Sequence, residues 1–191
     1  MRDYSRKNKK QPDKIRTDAS QNKDALIQAA YNLFIEKGPD VSVTDIVNKA
    51  EVSRPTFYRN FPDRHSLVMA VFHYNLDYLE KYSQSIKGQE NEFIKLLEQV
   101  VIIQDKFHAM ISFLNGDENE LLIRLAKIFE NSINKAKNER FLRSDFSIEN
   151  DLSLVIMMLG NTLSHQNELN KKLSVKRALK LLLEGIKNCK S

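Results

Sequence analysis

Two short runs of residues joined by a tight turn place the strongest constraint on what this chain can form. The first run, residues 42–50, has apolar side chains at helical spacing. Ser42 opens it and Asp45 follows three residues later, a variant of the capping box that begins helices. The second run, residues 54–60, is too short to build a core and is rich in hydrogen-bonding side chains. This pattern predicts a helix that lies in a DNA major groove.

The second run carries its own start and stop signals. Ser53 supplies a hydroxyl cap, and Pro55 falls in the first turn, where a missing N–H costs nothing. Phe57 and Phe61 are four residues apart and are predicted to face the core. Pro62 and Asp63 should end this helix and cap the next. On or near the opposite face we expect Arg54, Pro55, Tyr58 and Arg59.

An amphipathic helix is predicted before this pair, with Leu26, Ala29, Ala30, Leu33 and Phe34 on one face and its end at Lys37-Gly38. The region 22–72 resembles the N-terminal domain of the TetR family of bacterial transcriptional regulators. The resemblance rests on a spaced set of residues: Ala29-Ala30, Leu33-Phe34, Lys37-Gly38, Ser42-Val43, Asp45-Ile46, Ala50, Val52-Ser53, Pro55-Thr56-Phe57-Tyr58, Phe61, Asp63-Arg64 and Leu67.

Three residues depart from the family pattern. Glu51 stands at the turn position where glycine is usual, and a left-handed backbone there would cost about 1 kcal/mol relative to glycine. Pro55 replaces a more common glycine, and Arg64 replaces a common lysine. We expect the turn to survive because Ala50, Val52 and the surrounding packing fix it. At position 64 either basic side chain can reach a phosphate.

The resemblance also implies roles for individual residues. Arg54, at the exposed start of the recognition helix, is expected to read a base edge such as that of guanine. The further base contacts expected are Thr44, Pro55, Arg59 and Asn60. The phosphate contacts implied by the matching family positions are Ser42, Thr56, Tyr58 and Arg64.

Composition supports an all-α fold: an N-terminal three-helix DNA-binding domain followed by a C-terminal helical domain for ligand binding and dimerisation. Five glycines and four prolines in 191 residues leave little material for a turn-rich β-fold, and strict two-residue alternation is absent. No run of eighteen apolar residues and no signal-peptide core occur, so neither a membrane span nor secretion is expected. Cys189 is the single cysteine, which excludes an internal disulfide and fits the cytoplasm.

The net charge of +5 comes from the start of the chain. Residues 1–23 hold eight Lys and Arg against three Asp, whereas the remainder has 22 basic and 22 acidic residues. Residues 1–21 are so polar that they are predicted to form a disordered basic arm. The arm either follows DNA phosphates, which its position beside the helix-turn-helix favours, or is a solvated tail.

Residues 73–191 are interpreted as a helical regulatory and dimerisation domain. Apolar segments recur at 93–114, 121–133, 152–163 and 175–186, after a long helix that begins near Asp63. The last two segments form either monomer core or a four-helix dimer interface, as the resemblance implies. Gly160 and Gly185 lie within them, where a close helix crossing would account for the glycines. We favour the dimer, because a palindromic DNA site requires a two-fold protein.

A small apolar or amphipathic ligand is implied by the resemblance alone, since aromatic and methionine residues at helical spacing more often form core. His108 and His165 lack companions at metal-ligand spacing, so neither a metal nor another cofactor is expected. The predicted pocket residues are Phe93, Leu97, Gln104, Phe107, His108, Met110, Phe129, Met157 and Asn161.

These observations favour a homodimeric DNA-binding regulator, a repressor released from a pseudo-palindromic operator by a small molecule. The alternative is a DNA-binding scaffold of the same fold that acts through a protein partner without an inducer. An enzyme is not expected, because the sequence has no phosphate-cradling glycine loop, nucleophile elbow or metal cluster.

Overall fold

The computed structural model describes the backbone of residues 12–114, 116, 118–164, 177, 178, 180–182 and 184. Side chains are described from residue 20 onward within these ranges, apart from residues 108, 111, 112, 118 and 160–164. Throughout this described part the regular structure is helical and no strand occurs, which confirms the predicted all-α class. Within the same residues, no helix is long and apolar enough to cross a membrane.

The first of two compact units extends to Leu67. Helix α1 spans Pro12–Lys37 and is followed by one 3₁₀ turn, Gly38–Asp40. Helices α2, Val43–Lys49, and α3, Arg54–Asn60, then form the helix-turn-helix, and α1 packs against both of them. The core of this unit is closed by side chains that are 2% exposed or less: Leu26, Ala30, Phe34, Ile46 and Phe57.

The end of α1 follows the sequence signal. Gly38 adopts φ 71°, a left-handed conformation in which a side chain would be strained, so the helix ends where glycine permits the reversal. The start of α1 differs from the prediction, because residues 12–21 are helical rather than part of a disordered arm. Pro12 occupies the first helical position and no glycine or proline follows before Gly38, so nothing in the backbone interrupts the helix. Residues 1–11 lie outside the described part.

The second unit begins at Val68, within helix α4, Arg64–Ser85. Helix α5, Glu92–Phe107, packs against α6, Glu118–Asn138, and against α7, Ser153–Ser164. A 3₁₀ helix, His108–Phe113, follows α5, and a π-helical turn, Ile148–Leu152, precedes α7. The apolar segment predicted at 93–114 is therefore divided between α5 and the 3₁₀ helix.

Aromatic rings organise the centre of the second unit. Phe93 packs edge-to-face on Phe129 and on Phe146, with ring centroids 6.0 and 5.9 Å apart. The boundary between the units falls after Leu67, whereas the sequence indicated residue 72. Half of the predicted last segment, 175–186, and Cys189 lie outside the described residues.

Candidate nucleic-acid interface

Helix α2 begins with the predicted capping box. The N–H of Asp45 donates to Ser42 Oγ at 3.1 Å, and the N–H of Ser42 donates to Asp45 Oδ2 at 3.2 Å. The Ser42 hydroxyl also donates to Asp45 Oδ2, at 2.7 Å. These bonds, first that of the Ser42 hydroxyl and then that of its backbone, hold the pKa of Asp45 below its ordinary value. The start of the helix-turn-helix is therefore fixed by reciprocal bonds.

The turn between α2 and α3 passes through the residue that departs from the family pattern. Glu51 adopts φ 55°, so this position requires the left-handed backbone that glycine accepts most easily. The N–H of Val52 bonds the carbonyl of Val47 at 3.0 Å and holds the turn closed. The turn thus forms with glutamate, and the N–H of Glu51 adds a second backbone bond, to the carbonyl of Asn48 at 3.3 Å.

Helix α3 has the predicted cap and the predicted faces. The N–H of Thr56 donates to Ser53 Oγ at 3.3 Å, and Pro55 lies in the first turn. Phe57 and Phe61 are buried, which anchors the inner face. Arg54, Pro55 and Arg59 are exposed on the other side, and Tyr58 is 52% exposed. A rigid helix thus presents polar side chains to solvent.

The charges around α3 are unevenly neutralised. Lys37 pairs with Asp45 at 3.5 Å, and Lys49 pairs with Glu36 at 2.8 Å. Among the described residues, the guanidinium groups of Arg54 and Arg59 form neither an ion pair nor a hydrogen bond. Two uncompensated cations on one exposed helix provide the donors that base edges and phosphates accept.

Arg64 makes contacts that its position in the sequence did not predict. Its Nη1 donates to the carbonyl of Val41 at 2.9 Å, and its Nη2 donates to the carbonyl of Pro39. The forked guanidinium therefore ties the start of α4 to the loop between α1 and α2. Its predicted phosphate contact stays a prediction, to which the structure adds this bracing role.

Three other predicted contact residues bond within the motif. The hydroxyls of Thr56 and Ser53 are 2.9 Å apart, and Asn60 Nδ2 donates to the carbonyl of Thr56 at 2.8 Å. Because Ser42 donates its hydroxyl proton to Asp45, it has no proton for a phosphate while the capping box is intact. Thr44 is exposed near the start of α2. The predicted contact residues whose polar side chains are exposed and form no hydrogen bond to the described residues are thus Arg54, Arg59, Tyr58 and Thr44.

The second unit contains a cavity of about 350 Å³. Of the predicted pocket residues, Gln104, Phe107 and Met157 line it. The others with described side chains, Phe93, Leu97, Met110 and Phe129, are buried in the core and do not line this cavity. The side chains of His108 and Asn161 lie outside the description. Lining residues that the sequence analysis did not propose include Phe72, Asn75, Leu79, Ile103, Leu114, Leu121 and Ile156.

Comparison with known proteins agrees with this geometry. The family described as bacterial regulatory proteins, tetR family, matches residues 26–71, which cover α2, α3 and part of the helix that packs on them. No protein of curated function is matched by the sequence.

Solved structures extend the similarity beyond that domain. A TetR transcriptional regulator from Streptomyces coelicolor superimposes with a TM-score of 0.66 at 19% identity, over 88% of this chain and 99% of the other. A TetR-family transcriptional regulator from Pectobacterium atrosepticum gives a TM-score of 0.67 at 16% identity, over 90% and 97%. A gamma-butyrolactone receptor gives 0.56 at 13% identity, over 90% of each chain.

At these identities the structural neighbours establish the fold, and the sequence match establishes the family of the helix-turn-helix region. Residues 26–71 thus match the tetR family of bacterial regulatory proteins, and the fold of the chain is similar to that of solved TetR-family regulators.

Proposed function

We propose that the protein is a homodimeric, sequence-specific transcriptional repressor that a small molecule releases from its operator. The observation that carries the proposal is α3, a capped helix anchored by Phe57 that exposes two guanidinium groups with no partner among the described residues. Such a helix can enter the major groove, where each base pair presents a distinct pattern of donors and acceptors. Because bacterial promoters lie in the cytoplasm, we place the protein there.

The contacts divide by chemistry. Arg54, in the first turn of α3, reads a guanine through its two-pronged donor set, with Thr44, Pro55, Arg59 and Asn60 as further base contacts. Tyr58 and Thr56 donate hydroxyl protons to phosphates, and Arg64 contacts a phosphate through its guanidinium at the edge of the motif. Ser42 can do so only when its hydroxyl bond to Asp45 opens. Phosphate contacts set the register, and base contacts set the sequence preference.

The exposed apolar side chains of α7 support a second copy of this chain as the binding partner. The helix buries Val155, Ile156 and Leu159, yet it also exposes Leu154, Met157 and Met158 by 55%, 61% and 53%. A helix that is apolar on both sides needs a cover on its exposed face. Leu181, in the last predicted segment, is 65% exposed and is a further apolar side chain that a partner could cover. We propose that these two segments form the dimer interface.

The cavity in the second unit supports regulation by a small molecule. Its volume falls within the range of small-molecule sites in proteins, which is about 300–1,000 Å³. One structural neighbour is named as a gamma-butyrolactone receptor, so this fold accommodates ligand recognition. The ligand proposed here is apolar or amphipathic, and its differential affinity for the DNA-free form drives release.

In vitro selection from random duplexes tests the proposed function. We expect enrichment of a pseudo-palindrome whose half-site centres are about 34–36 Å apart or a multiple of that distance. The selected duplex is then used in gel shifts with and without a metabolite extract. Release by the extract's small-molecule fraction supports the repressor, and release only by its protein fraction supports the scaffold alternative. Failure of any sequence to be enriched would contradict both.

A further inference from the structure

The cavity in the second unit is lined almost entirely by hydrocarbon, but two polar atoms in its wall are left without partners among the described residues. Asn75 is 4% exposed, and its Nδ2 is buried and forms no hydrogen bond to any of them. Gln104 Nε2 donates to the carbonyl of Ile156 at 3.0 Å, whereas Gln104 Oε1 is buried and accepts no bond from them. Asn75 and Gln104 lie on α4 and α5, and both line the same space.

Unpaired buried amides destabilise a fold, because their bonds to water are removed and nothing replaces them. Most buried polar groups in proteins do have partners, so two exceptions in one cavity wall require an explanation. The third polar residue of the wall, Ser153, donates its hydroxyl to the carbonyl of Glu149 at 3.2 Å. The Ser153 hydroxyl is therefore paired, so the unpaired polar atoms of the described wall belong to Asn75 and Gln104.

The orientation of Gln104 follows from its neighbour. A carbonyl oxygen accepts and cannot donate, so the nitrogen of the Gln104 amide must face the carbonyl of Ile156, and its oxygen faces away. Of its two amide atoms, Gln104 can therefore offer only an acceptor to a molecule in the cavity. The Asn75 amide is bonded to none of the described residues, so its nitrogen is available as a donor.

Charge narrows the class of molecule further. None of the described residues that line the cavity is Lys, Arg, Asp, Glu or His. An ionised ligand would give up its hydration without meeting an opposite charge, which strongly disfavours binding. An uncharged molecule loses less hydration free energy, and hydrogen bonds to the two amides offset that loss.

We infer that the cavity binds an uncharged, mainly apolar molecule that accepts a hydrogen bond from Asn75 and donates one to Gln104, as a carboxamide or an alcohol does. Naming the chemical class of the inducer deepens the proposed function, and only the effect of the ligand on DNA binding rests on that function.

Calorimetric titration of the full chain with four probes that share an eight-carbon chain tests the inference. Octanamide both donates and accepts, methyl octanoate only accepts, and octanoate and octylammonium are ionised at about pH 7. We expect octanamide to bind most tightly and methyl octanoate about 5–10-fold more weakly, the factor that one neutral hydrogen bond contributes. The two ions should bind at least about 10-fold more weakly than octanamide.

Three variants assign the preference to the amides. Asn75→Leu and Gln104→Met keep the side-chain volume roughly constant but remove the unpaired atoms. Each should weaken octanamide binding about 5–10-fold. Gln104→Met should leave the affinity for methyl octanoate unchanged. Without ligand, Asn75→Leu should unfold at the same or a higher temperature, because an unsatisfied group is gone, whereas Gln104→Met also loses the bond to the Ile156 carbonyl. Gln99→Met is the control, since Gln99 is on α5 but outside the cavity and accepts a bond from Tyr78.

The inference would be overturned by equal affinity for all four probes, or by octanamide affinity that both variants retain. Either would mean that water satisfies the two amides. Absence of binding by every probe would overturn it as well. DNA binding measured on the same samples separates the two proposals, since an absent ligand preference with intact DNA binding contradicts only the cavity chemistry. Binding as predicted, but without effect on DNA affinity, contradicts only release from the operator.

Discussion

Arg54, Arg59 and Arg64 lie within a few residues of one another, yet the structure uses them differently. The first two are exposed and their guanidinium groups have no partner among the described residues, whereas Arg64 is partly buried and bonds two loop carbonyls. All three were expected to contact DNA, Arg54 and Arg59 at base edges and Arg64 at a phosphate. The difference arises because residues 39 and 41, which receive the bonds of Arg64, are brought close only by the fold.

The bracing role of Arg64 makes a distinct prediction. Arg64→Lys keeps the charge but removes the fork, so one or both carbonyls are left without a donor. We expect the free energy of unfolding to fall by about 1–2 kcal/mol, with little change in the salt dependence of DNA binding. Denaturant unfolding and anisotropy titrations measure the two quantities, and Arg59→Lys is the control that should leave stability unchanged. Unchanged stability of Arg64→Lys combined with weaker DNA binding would indicate that phosphate contact is its main role.

At the scale of single elements, local bonds define the helix-turn-helix. The capping box of α2, the cap of α3 by Ser53 and the cap of α4 by Asp63 all join residues three positions apart. Interactions of this range are readable from sequence, which is why these helix starts were predicted correctly. The turn at Glu51 is the point at which the sequence is least suited to the backbone it adopts.

The capping box should make stability depend on pH. The pKa of Asp45 is lowered in the folded state, chiefly by the Ser42 hydroxyl, so its carboxylate stabilises the fold above its ordinary pKa of 3.8. This contribution disappears as the pH falls below 3.8 through the folded-state pKa. We expect Asp45→Asn to lower the melting temperature at about pH 6, with the deficit shrinking toward about pH 2. A deficit that is constant across this range would mean that the charge of Asp45 is irrelevant.

Replacement by glycine should change the free energy of unfolding in opposite directions at Glu51 and at Glu98. Replacing Glu51 with glycine relieves a left-handed backbone, and we expect Glu51→Gly to raise the free energy of unfolding by up to about 1 kcal/mol. The same change at Glu98, an exposed position inside α5, should lower it by about 1 kcal/mol. Urea denaturation measures both. Destabilisation by Glu51→Gly would show that the glutamate side chain holds the turn.

For the whole molecule, the uneven charge of the chain is the main electrostatic feature. The formal excess of +5 lies within residues 1–23, and the remainder is balanced. Because helix α1 includes residues 12–21, only residues 1–11 can still form the predicted arm. These residues hold five of the eight basic residues of 1–23. We propose that it follows DNA phosphates.

Deletion of residues 2–11 tests this role while leaving every residue of α1 in place. The slope of log K against log salt should become shallower by about 0.9 for every phosphate that the segment no longer neutralises. We also expect weaker binding to all sequences alike, with an unchanged melting temperature. A second form, in which the five Lys and Arg of this segment are replaced by Gln, controls for length. An unchanged slope in both forms would make the segment a solvated tail.

The limits of sequence reasoning can be seen in three places. The helical part of residues 12–21 was missed because composition indicated disorder, whereas the uninterrupted backbone after Pro12 allowed a helix. The cavity was predicted in the second unit, but only three of its proposed residues line it. Aromatic residues such as Phe93 lie in the core instead, where their apolar surface is removed from water. Asn75 was missed, although a lone amide on the apolar side of α4 was a signal.

We claim that α3 reads DNA sequence, and a single titration can separate a base contact from a phosphate contact on this helix. Fluorescence anisotropy compares binding of the wild type, Arg54→Ala and Tyr58→Phe to the selected operator and to a scrambled duplex of equal length. We predict that Arg54→Ala weakens binding by about 1–3 kcal/mol on the operator and much less on the scrambled duplex, because a base contact is removed. Tyr58→Phe should weaken both alike, because a phosphate contact is removed. Equal weakening on both duplexes for Arg54→Ala would contradict the claim.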